Sequence, residues 1–525
     1  MAGKYLPIPQ MATLRGNELS KIVLIRPPMV LSQFSLSTST TPPIAIAYLS
    51  GTLRANGFAV QTIDALGEDI ERLTPIKGTV GLSLGLPIDQ IIERIDADAE
   101  IIGYSAMFSC SWTNDKKILE GVRARFPDAL IVVGGEHVTA CTDYVLQDCP
   151  AIDLCVRGEG EETLLEIANA HKEDRDTSAL DGVAVRRDGK VKQNPPRARI
   201  RDIDNIPLPD WEDLPLEDYM AGGYGHGVNL GRSMPLMATR GCPFQCTFCS
   251  SPGMWTTRWQ ARSPQLVFDE MVMYLEKYNV ANFDLYDLTA IIKKDWIVEF
   301  TDIIFASDYT FTWQIPSGTR SEALDAEVVD RLWRSGCRNM NYAPESGSPE
   351  VLKRIKKKVS LPKLVESMKA AIKRDLNVKI NMIFAFPEDT WGQLISNFMF
   401  GIRCAWLGVN DSSFIPYVPY PGSELYEQLA GENKIEPMSD AYFNSLIPFS
   451  DLAFAKSYNP LFKDRHLVWI RYLYFAVFYG TMFLRRPSRA FGIITNMLSG
   501  KQASRGEEIL RNIMARKKQL KSAAQ

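Results

Sequence analysis

Three cysteines, Cys242, Cys246 and Cys249, fall within eight residues of the segment RGCPFQCTFCS. Thiolates are the ligands that iron–sulfur clusters and zinc prefer. A [4Fe–4S] cluster usually takes four thiolates, so three close cysteines without a local fourth leave one iron open. S-adenosylmethionine (SAM) can chelate an open iron through its amino and carboxylate groups. The C-x3-C-x2-C spacing therefore predicts a [4Fe–4S] cluster that binds SAM.

Two other metal sites would use the same cysteines. A zinc site needs a fourth ligand, and the nearest histidine is His226. An electron-transfer cluster with four cysteines would have to recruit Cys337 or another remote cysteine. The SAM interpretation is favoured by Phe248, directly before the last cysteine, and by the βα pattern that follows.

The cysteines come just after the first strand of an alternating βα series. Six strands, each followed by a helix, predict a partial (βα)6 barrel over residues 231–435. In such barrels the chemistry lies at the carboxyl ends of the strands, which is where this spacing puts the cysteines. The predicted strands are 236–239, 282–287, 310–317, 339–344, 378–386 and 412–417.

A second alternating series precedes the cysteines. Five short apolar strands separated by helices predict a Rossmann-like, doubly wound parallel sheet over residues 21–200. Asp188-Gly189 adds a hairpin. Ligands of such sheets lie at the carboxyl ends of the strands, where this chain has small residues; tight turns without a ligand would show the same glycines. The five predicted strands are 21–26, 58–63, 100–104, 129–133 and 152–156.

The remaining segments set the domain boundaries. Residues 1–20 are predicted to be a leader. Residues 201–230, rich in proline and acids, are predicted to be an extended linker. Residues 436–525 lose the strand alternation and predict a helical region with a basic tail. The fold class is α/β: a Rossmann-like sheet, then a partial barrel, then helices.

Bulk properties exclude several classes. The net charge of −3 over 525 residues does not predict a nucleic-acid partner. Ten Lys/Arg against two acids from residue 485 onward give that tail a charge of about +8. Nine cysteines, an odd number, without a secretory segment argue against a disulfide framework. No stretch reaches the length of a spanning helix, the nearest being 472–484. The predicted location is the cytoplasm, with peripheral contact at the inner face of the membrane as a further expectation.

Several segments resemble the cobalamin-binding radical SAM family, specifically its methyltransferase-like subfamily. The three cysteines match the radical SAM motif, and RGEGEETL at residues 157–164 is the most specific segment of the first half. The resemblance covers roughly residues 20 to 430. Its other segments are 42–65, 132–139, 258–270, 335–357 and 417–429.

The resemblance implies SAM contacts at the carboxyl ends of the barrel strands. Glu345 could equally be an acid at a helix N-terminus, and Arg320 an ordinary surface arginine. Glu388 stands where family members often have a glycine, which leaves contact with the adenine at that turn undecided. The predicted SAM-binding residues are Phe248, Asp287, Thr289, Arg320 and Glu345.

The resemblance also implies a cobalamin site at the first sheet. Many cobalamin proteins have an Asp-x-His-x-x-Gly motif whose histidine binds cobalt, but this chain reads Asp64-Ala65-Leu66-Gly67 after its second strand. His137 could approach the corrin or serve in packing. The predicted cobalamin contacts are Ser105, Gly134, Gly135, Glu136, His137, Gly158, Glu159 and Gly160.

The implied activity is methylation of an unactivated carbon. In the family, a 5′-deoxyadenosyl radical takes a hydrogen from the substrate and methylcobalamin donates the methyl group. Two alternatives remain: a radical SAM enzyme that does not methylate, such as an oxidative ring cyclase, and a non-catalytic cobalamin or iron–sulfur sensor. No catalytic acid–base residues are predicted, because the cofactors carry the chemistry.

The C-terminal region indicates which substrate and which surface the protein contacts. Residues 466–484 are rich in aromatic side chains. They predict either a helix that covers the open side of the barrel, or a lid or interfacial helix for a large apolar small-molecule substrate, with arginines facing lipid phosphates. A reducing electron donor such as flavodoxin or ferredoxin is also expected.

Overall fold

The computed structural model describes residues 21–35, 40–319 and 323–490. The predicted leader, Arg320 and the part of the basic tail after residue 490 lie outside the described residues.

The first domain contains ten strands and six helices. The strands are β1 (Lys21–Arg26), β2 (Met29–Ser32), β3 (Ala59–Asp64), β4 (Leu73–Pro75), β5 (Gly81–Leu84), β6 (Ile101–Ser105), β7 (Leu130–Gly134), β8 (Leu154–Val156), β9 (Val183–Arg187) and β10 (Lys190–Gln193). The helices are α1 (Ile44–Ala55), α2 (Ile88–Arg94), α3 (Trp112–Arg125), α4 (Glu136–Ala140), α5 (Thr142–Asp148) and α6 (Glu161–Lys172).

The main sheet has the order β10-β9-β8-β7-β6-β1-β3. The five strands from β8 to β3 in this order are parallel. Strands β9 and β10 form the predicted antiparallel hairpin at the other end of the sheet. Counted along the chain, the parallel strands follow the flavodoxin-like order 2-1-3-4-5, whose ligands lie at the carboxyl ends. The Rossmann-like prediction is confirmed, and the bounds of its five parallel strands lie within two residues of the predicted ones.

Two features of this half were not predicted. Strands β2, β5 and β4 form a small antiparallel sheet. The segment 201–230 contains the helix α7 (Leu216–Ala221), and it packs on both domains. Trp211 Nε1 donates to Tyr274 Oη in the second domain at 3.0 Å, and Tyr219 Oη donates to Asp64 of the first at 2.7 Å. This segment therefore joins the two domains through buried contacts.

The second domain contains eight strands and eight helices. The strands are β11 (Ser233–Leu236), β12 (Thr239–Arg240), β13 (Gln260–Ala261), β14 (Asn282–Leu285), β15 (Thr312–Thr319), β16 (Cys337–Glu345), β17 (Asn377–Phe384) and β18 (Asp411–Pro416). The helices are α8 (Ser251–Trp255), α9 (Pro264–Tyr278), α10 (Lys294–Phe305), α11 (Ala326–Arg334), α12 (Pro349–Arg354), α13 (Leu361–Lys373), α14 (Trp391–Leu407) and α15 (Glu424–Gly431).

Six of these strands form one parallel sheet in chain order, β11-β14-β15-β16-β17-β18, as expected for a partial (βα)6 barrel. The first strand is displaced from its predicted position at 236–239. It ends at Leu236, and Thr239–Arg240 pair instead with Gln260–Ala261. The strand includes Pro235, which an edge strand accommodates because the missing N–H costs no ladder bond there.

The C-terminal region contains α16 (Asp440–Leu446) and α17 (Asp464–Arg485). Helix α17 packs on α14 and β18: the Tyr474 ring stacks on Phe414 with centroids 3.9 Å apart, and Tyr474 Oη and Ser412 Oγ lie 2.7 Å apart. The predicted apolar run 472–484 lies inside α17, a helix of 22 residues that also contains Arg471 and begins at Asp464. By length and composition, α17 alone among the described helices is long and apolar enough to cross a membrane, which was not expected from the sequence.

Candidate functional site

The three cysteines lie in a loop at the carboxyl end of the barrel sheet, and their side chains are half-buried. Two backbone hydrogen bonds fix the middle of this loop. The Thr247 N–H donates to the Ile355 carbonyl at 3.1 Å, and the Leu425 N–H donates to the Thr247 carbonyl at 2.8 Å. Neighbouring segments of the barrel therefore hold the cysteine loop, defined here as residues 242–249.

The donor set fits a cluster. Burial, with the neighbouring Cys246, Glu136 and Cys242 adding to it, raises the pKa of the Cys249 thiol to about 12. The thiols become ligands only on losing their protons to a metal. Within the described residues, no three His, Cys, Asp or Glu side chains converge as a single-ion site. A zinc ion would bring its thiolates to within about 3.8 Å of one another, whereas each thiolate of a cluster binds a different iron.

Neither remote ligand considered from the sequence reaches the loop. Cys337 is the first residue of β16 and is fully buried. The nine residues of that strand, at about 3.3 Å each, separate it by about 26 Å from the carboxyl end. The His226 N–H donates to Asp284 inside the barrel at 2.9 Å, and the His226 ring packs on Tyr286. Three thiols, with no fourth from these two residues, fit a cluster with one open iron.

A buried ion-pair network joins the cysteine loop to the first domain. Arg240, two residues before Cys242, donates to Glu161 at 2.6 Å and to Glu159 at 3.3 Å. Arg199 donates to the second Glu159 oxygen at 3.1 Å. Burial alone would raise the pKa of Glu161, but Arg240 holds it below its ordinary value. The RGEGEETL segment and the cysteine motif are therefore in direct contact.

Gly241 makes this contact possible. Its φ of +84° lies in the left-handed region that favours glycine, and a Cβ there would overlap the Arg258 carbonyl and crowd Arg199. The Arg199 side chain donates to the carbonyls of Trp255 and Arg258 at 2.8 and 2.6 Å. Glycine at position 241 thus lets the chain turn from Arg240 directly into Cys242.

A second contact between the domains lies at the other end of the loop. Ser250 Oγ, directly after Cys249, donates to the Glu136 carboxylate of α4. Gly422, with a φ of +80°, lies so close to α4 that a Cβ built on it would be only 2.8 Å from Ala140 Cβ. Helix α4 of the first domain therefore abuts α8 directly behind the cysteines.

Four of the five predicted SAM residues lie at the carboxyl end of the barrel; Arg320 is outside the described residues. Thr289 Oγ1 lies 3.6 Å from Cys242 Sγ. The Phe248 ring packs on Phe386 with centroids 5.8 Å apart. Glu345 ends β16 with a φ of +63° and accepts from Lys357 Nζ at 3.0 Å. Their contacts with SAM stay predictions.

The surroundings of Asp287 indicate whether this end of the barrel can bind SAM. Its side chain is buried; Oδ2 accepts from the Ala238 N–H at 3.2 Å, and Oδ1 has no hydrogen-bond partner in the described part of the chain. Burial raises the pKa of Asp287 to about 6. Asn341 Oδ1 on β16, which sequence reasoning missed, is likewise buried and without a partner among the described residues. Two orphaned acceptors on neighbouring parts of the barrel fit a ligand that carries an ammonium group.

The turn after β17 forms without the family glycine. Ala385 adopts a φ of +59°, and the Asp389 carboxylate accepts from the Phe386 N–H at 3.0 Å. The Glu388 side chain extends into solvent, 3.8 Å from Arg354. The turn itself is buried, and Asn459 Nδ2 donates to the carbonyls of Phe386 and Asp389, so contact of this turn with the adenine stays undecided.

The predicted cobalamin residues divide into two groups. Ser105 and Gly134 lie side by side at the carboxyl ends of β6 and β7. Gly158 follows β8; its N–H donates to Thr139 Oγ1 at 3.1 Å, and a Cβ there would have only Met254 within 4 Å. The second group has protein partners. Glu136 and Glu159 make the interdomain contacts described above, and their contact with cobalamin stays a prediction.

His137 is buried at this edge. Burial lowers its pKa to about 3, so the imidazole is neutral. Its Nδ1 lies 2.9 Å from Ser109 Oγ, its ring packs between Trp112 and Phe443, and Nε2 has no partner among the described residues. These contacts are those of a packing residue, which is one of the two roles considered from the sequence. Contact of His137 with the corrin stays a prediction. Asp64 stands at the aspartate position of the Asp-x-His-x-x-Gly motif, whose histidine this chain lacks. Its carboxylate accepts hydrogen bonds from the Tyr219 hydroxyl and the Gly67 N–H.

The edge also carries apolar side chains that sequence reasoning missed. Met107 and Phe108, directly after β6, are each 50% exposed. Gly135, with a φ of +122°, allows its loop to touch the Ala106 carbonyl. Phe34 and Phe454 pack against each other with centroids 5.7 Å apart, and both stay exposed. Open glycine positions beside exposed apolar side chains fit a large, flat ligand such as a corrin.

The comparisons with known proteins agree with this geometry. Family models for a B12 binding domain and for the radical SAM superfamily match residues 36–168 and 236–398. An uncharacterized methyltransferase of Pyrococcus horikoshii is 28% identical over 83% of this chain and 88% of its own. The anaerobic magnesium-protoporphyrin IX monomethyl ester cyclase of Rubrivivax gelatinosus is 26% identical over 78% of this chain and 69% of its own.

A solved structure shares the whole fold. The radical SAM methyltransferase TsrM from Kitasatospora setae, with cobalamin and a [4Fe-4S] cluster bound, aligns with a TM-score of 0.65. The alignment covers 95% of this chain and 99% of that chain at 16% identity. Fold and site together define a radical SAM enzyme with an N-terminal cobalamin-binding domain. The chain belongs to the cobalamin-binding radical SAM family, and its cofactors are a [4Fe–4S] cluster, SAM and cobalamin.

Proposed function

We propose that the chain is a cobalamin-dependent methyltransferase that adds a methyl group to an unactivated carbon of a large apolar small molecule. The observation that carries the proposal is the direct contact between the cysteine loop and the carboxyl edge of the first sheet. Arg240 makes this contact with Glu161, and Ser250 makes it with Glu136. The cysteine loop and the predicted cobalamin edge are therefore adjacent, as methyl transfer to the site of hydrogen abstraction requires, and relatives that carry the name methyltransferase support the same activity.

The chain's residues bind and orient the groups that do the chemistry. When bound, the cluster and SAM supply hydrogen abstraction and cobalamin supplies the methyl group. The cysteine thiolates would hold the cluster, and the unpaired Asp287 oxygen would accept from the SAM ammonium group. Thr289 Oγ1 lies 3.6 Å from Cys242 Sγ, where its hydroxyl would be close to that thiolate. Glu345, held by Lys357, places a second carboxylate at the same end of the barrel.

Exposed apolar side chains near the cysteine loop support the substrate class. Leu288 follows Asp287 at the carboxyl end of the barrel and is 43% exposed. Met107 and Phe108, each 50% exposed, flank the edge predicted to bind cobalamin, so a substrate beside the corrin would share them, and grouped apolar side chains mark ligand-binding surfaces. An apolar substrate between the two domains would bury these side chains and exclude water from the reacting carbon.

The test is a labelling experiment with anaerobically reconstituted protein. Enzyme with cobalamin, reductant and trideuteromethyl-SAM is incubated with an apolar metabolite extract of the source cells, and products are compared by mass spectrometry. A methyltransferase yields a product that carries the label, with 5′-deoxyadenosine and S-adenosylhomocysteine in equal amounts. Unlabelled product that has lost hydrogens would establish the alternative, a ring cyclase, which the cyclase relative supports. A sensor would release no 5′-deoxyadenosine.

The proposal includes an external electron donor. The cluster must be reduced before SAM is cleaved, and this step consumes one electron from outside the enzyme. Flavodoxin or ferredoxin of the cytoplasm would supply that electron. Replacing dithionite by reduced flavodoxin in the labelling assay tests this step, because 5′-deoxyadenosine should form with flavodoxin and its reductase and be absent without them.

The proposal places the enzyme in the cytoplasm, in peripheral contact with the inner face of the membrane. Helices α14 and α17 run side by side: the Trp391 ring contacts His466 at one end, and Arg485 lies over the Trp406 ring at the other. Their outward apolar side chains form a two-helix face, and α17 ends at Arg485 with Arg486 next in the chain, which suits anionic lipid. The two-helix face consists of Trp391, Ile395, Met399, Trp406, Trp469, Leu473 and Leu484.

Vesicle flotation tests this contact. The protein should float with vesicles that contain phosphatidylglycerol and stay behind with neutral phosphatidylcholine vesicles, and salt should weaken the binding. Trp469→Ser combined with Leu473→Ser should reduce the floated fraction at least fivefold, whereas Leu208→Ser, also an exposed apolar position, should not. Equal flotation of the two variants would exclude the two-helix face as the contact.

A further inference from the structure

The carboxylate of Glu136 belongs to the cobalamin-binding domain but lies against the ligand loop of the cluster. Glu136 is the first residue of α4 and is half-buried. Its Oε1 accepts the hydroxyl proton of Ser250, the residue directly after Cys249. No other acidic side chain of the described first domain is bonded to the segment 242–250 that carries the cysteines.

The surrounding packing fixes the position of this carboxylate. Thr139, one helical turn after Glu136, accepts from the Gly158 N–H at 3.1 Å and lies 3.4 Å from Met254 Sδ on α8. Ala140 contacts the turn at Gly422. These contacts, one helical turn after Glu136, hold α4 in place and leave little freedom for Glu136 to move away from the cysteine loop.

We propose that Glu136 is a positioning residue whose negative charge, held beside Cys249 by Ser250, lowers the reduction potential of the cluster. Reduction adds one electron from the external donor to the cluster, with no proton or group transferred. A fixed carboxylate nearby repels that electron, and at a half-buried site water screens the repulsion less than at the surface. Hydrogen bonds and charges outside the ligand set are a known means of tuning such clusters.

The consequence is a link between the two cofactor domains. The charge that sets how readily the cluster accepts an electron comes from the domain that binds the methyl donor. A displacement of α4 therefore changes the electrostatic environment of the cluster, and Ser250, which is bonded to Glu136, transmits the displacement to the adjacent ligand Cys249. The inference rests on the cluster at Cys242, Cys246 and Cys249 and not on the identity of the transferred group.

An EPR-monitored redox titration of the reconstituted holoenzyme tests the proposal. Glu136→Gln removes the charge and keeps an oxygen that accepts from Ser250. At a fixed potential its ratio of reduced to oxidised cluster should rise about tenfold over that of the unmodified protein, a shift of the midpoint by about 59 mV toward positive values. Glu136→Ala should shift in the same direction, and Glu136→Asp, which keeps the charge, should shift less than either.

The controls separate charge from other effects. Glu120→Gln makes the same substitution at an exposed acid of α3 and should leave the midpoint unchanged. Ser250→Ala removes the hydrogen bond but keeps the carboxylate, so its shift should be smaller than that of Glu136→Gln. A midpoint in Glu136→Gln equal to that of Glu120→Gln, or a shift in Ser250→Ala as large as in Glu136→Gln, would overturn the proposal.

The midpoint potential can be measured even when only part of the protein contains a cluster. The EPR signal comes only from clusters that are present, and the midpoint is determined from that fraction. The titration also separates this inference from the assignments on which it rests. An unmodified protein without a [4Fe–4S] signal would contradict the cluster itself. A normal signal together with unlabelled products would contradict methyl transfer and leave the redox comparison intact.

Discussion

Arg240 Nη2 donates to Glu161 Oε1 at 2.6 Å across the boundary between the two domains. The two residues are 79 positions apart in the chain, and their side chains are only 5% and 11% exposed. Arg240 precedes the cysteine loop and Glu161 begins α6 of the cobalamin-binding domain. Because the pair is buried, each charge depends on its partner for stabilisation, and the cysteine loop is tied to the first sheet.

Removing one side of this pair should be costly. Arg240→Met leaves Glu161 and one oxygen of Glu159 without their cation, and breaking a buried pair in this way typically costs about 3–5 kcal/mol. We expect a loss of that order in the free energy of unfolding, measured by urea denaturation of the apoprotein, and a lower iron content after reconstitution.

Arg232 provides the matched control for Arg240. It makes an ion pair with Glu217, at 2.7 Å, in a far more exposed setting. Arg232→Met should cost at most about 1 kcal/mol, as surface pairs do. Equal losses in the two variants would show that burial does not distinguish the Arg240 pair.

The cluster ligands can be assigned by single substitutions. Cys242→Ala, Cys246→Ala and Cys249→Ala should each abolish the visible absorbance of a [4Fe–4S] cluster, because three thiolates are the minimum that holds it with one open iron. Cys404→Ala, in a buried cysteine on α14, should retain the absorbance. Retention of a normal spectrum in any variant of the first three would contradict the ligand assignment.

The alternation of strands and helices predicted both sheets because periodicity is a local property of the chain. All eleven parallel strands of the two sheets appear within three residues of their predicted bounds at each end. The linker helix α7 was missed because three prolines near it indicate an extended segment, and its stability comes from burying Tyr219 between the domains. The local sequence pattern cannot predict such tertiary contacts.

The site was predicted less completely than the fold. The three cysteines follow from their spacing alone. Glu159 was predicted from the RGEGEETL segment as a corrin contact, and that stays a prediction. Its hydrogen bonds with Arg199, Arg240 and the Ile200 N–H were not foreseen. No spacing rule pairs acids with an arginine about 80 residues away, so this relationship required the structure.

Cobalamin binding should depend on the carboxyl edge of the first sheet. Gly134, beside Ser105, has no atom closer than 3.7 Å to a Cβ built on it, so the Cβ of Gly134→Val makes only ordinary contacts. The two added methyl groups would occupy the edge that is predicted to bind cobalamin. We expect at least a tenfold loss of affinity for hydroxocobalamin by absorbance titration, with an unchanged thermal midpoint of the apoprotein. Gly431→Val, at an open position of α15, should bind normally.

The last prediction concerns Asp284, which is buried inside the barrel. Its carboxylate accepts from the His226 N–H at 2.9 Å and from Gln314 and Asn282 at 2.7 and 2.6 Å. Burial nevertheless outweighs these bonds and raises its pKa to about 7 from an ordinary value near 3.8. Between these two values the folded protein binds more protons at this site than the unfolded chain does, so stability falls as pH rises through that window.

Replacing Asp284 by asparagine removes the titration and keeps a side chain of the same shape. Near the middle of the window, the contribution of this group should fall by about 1.4 kcal/mol for each pH unit. The thermal midpoint of the unmodified protein should therefore drop more steeply from pH 5 to pH 7 than that of Asp284→Asn. Burial also raises the pKa of Asp389 to about 6, so the difference between the two proteins, and not the slope of either, isolates Asp284. Parallel midpoint curves for the two proteins would show that Asp284 keeps the same charge in the folded and unfolded states across this range.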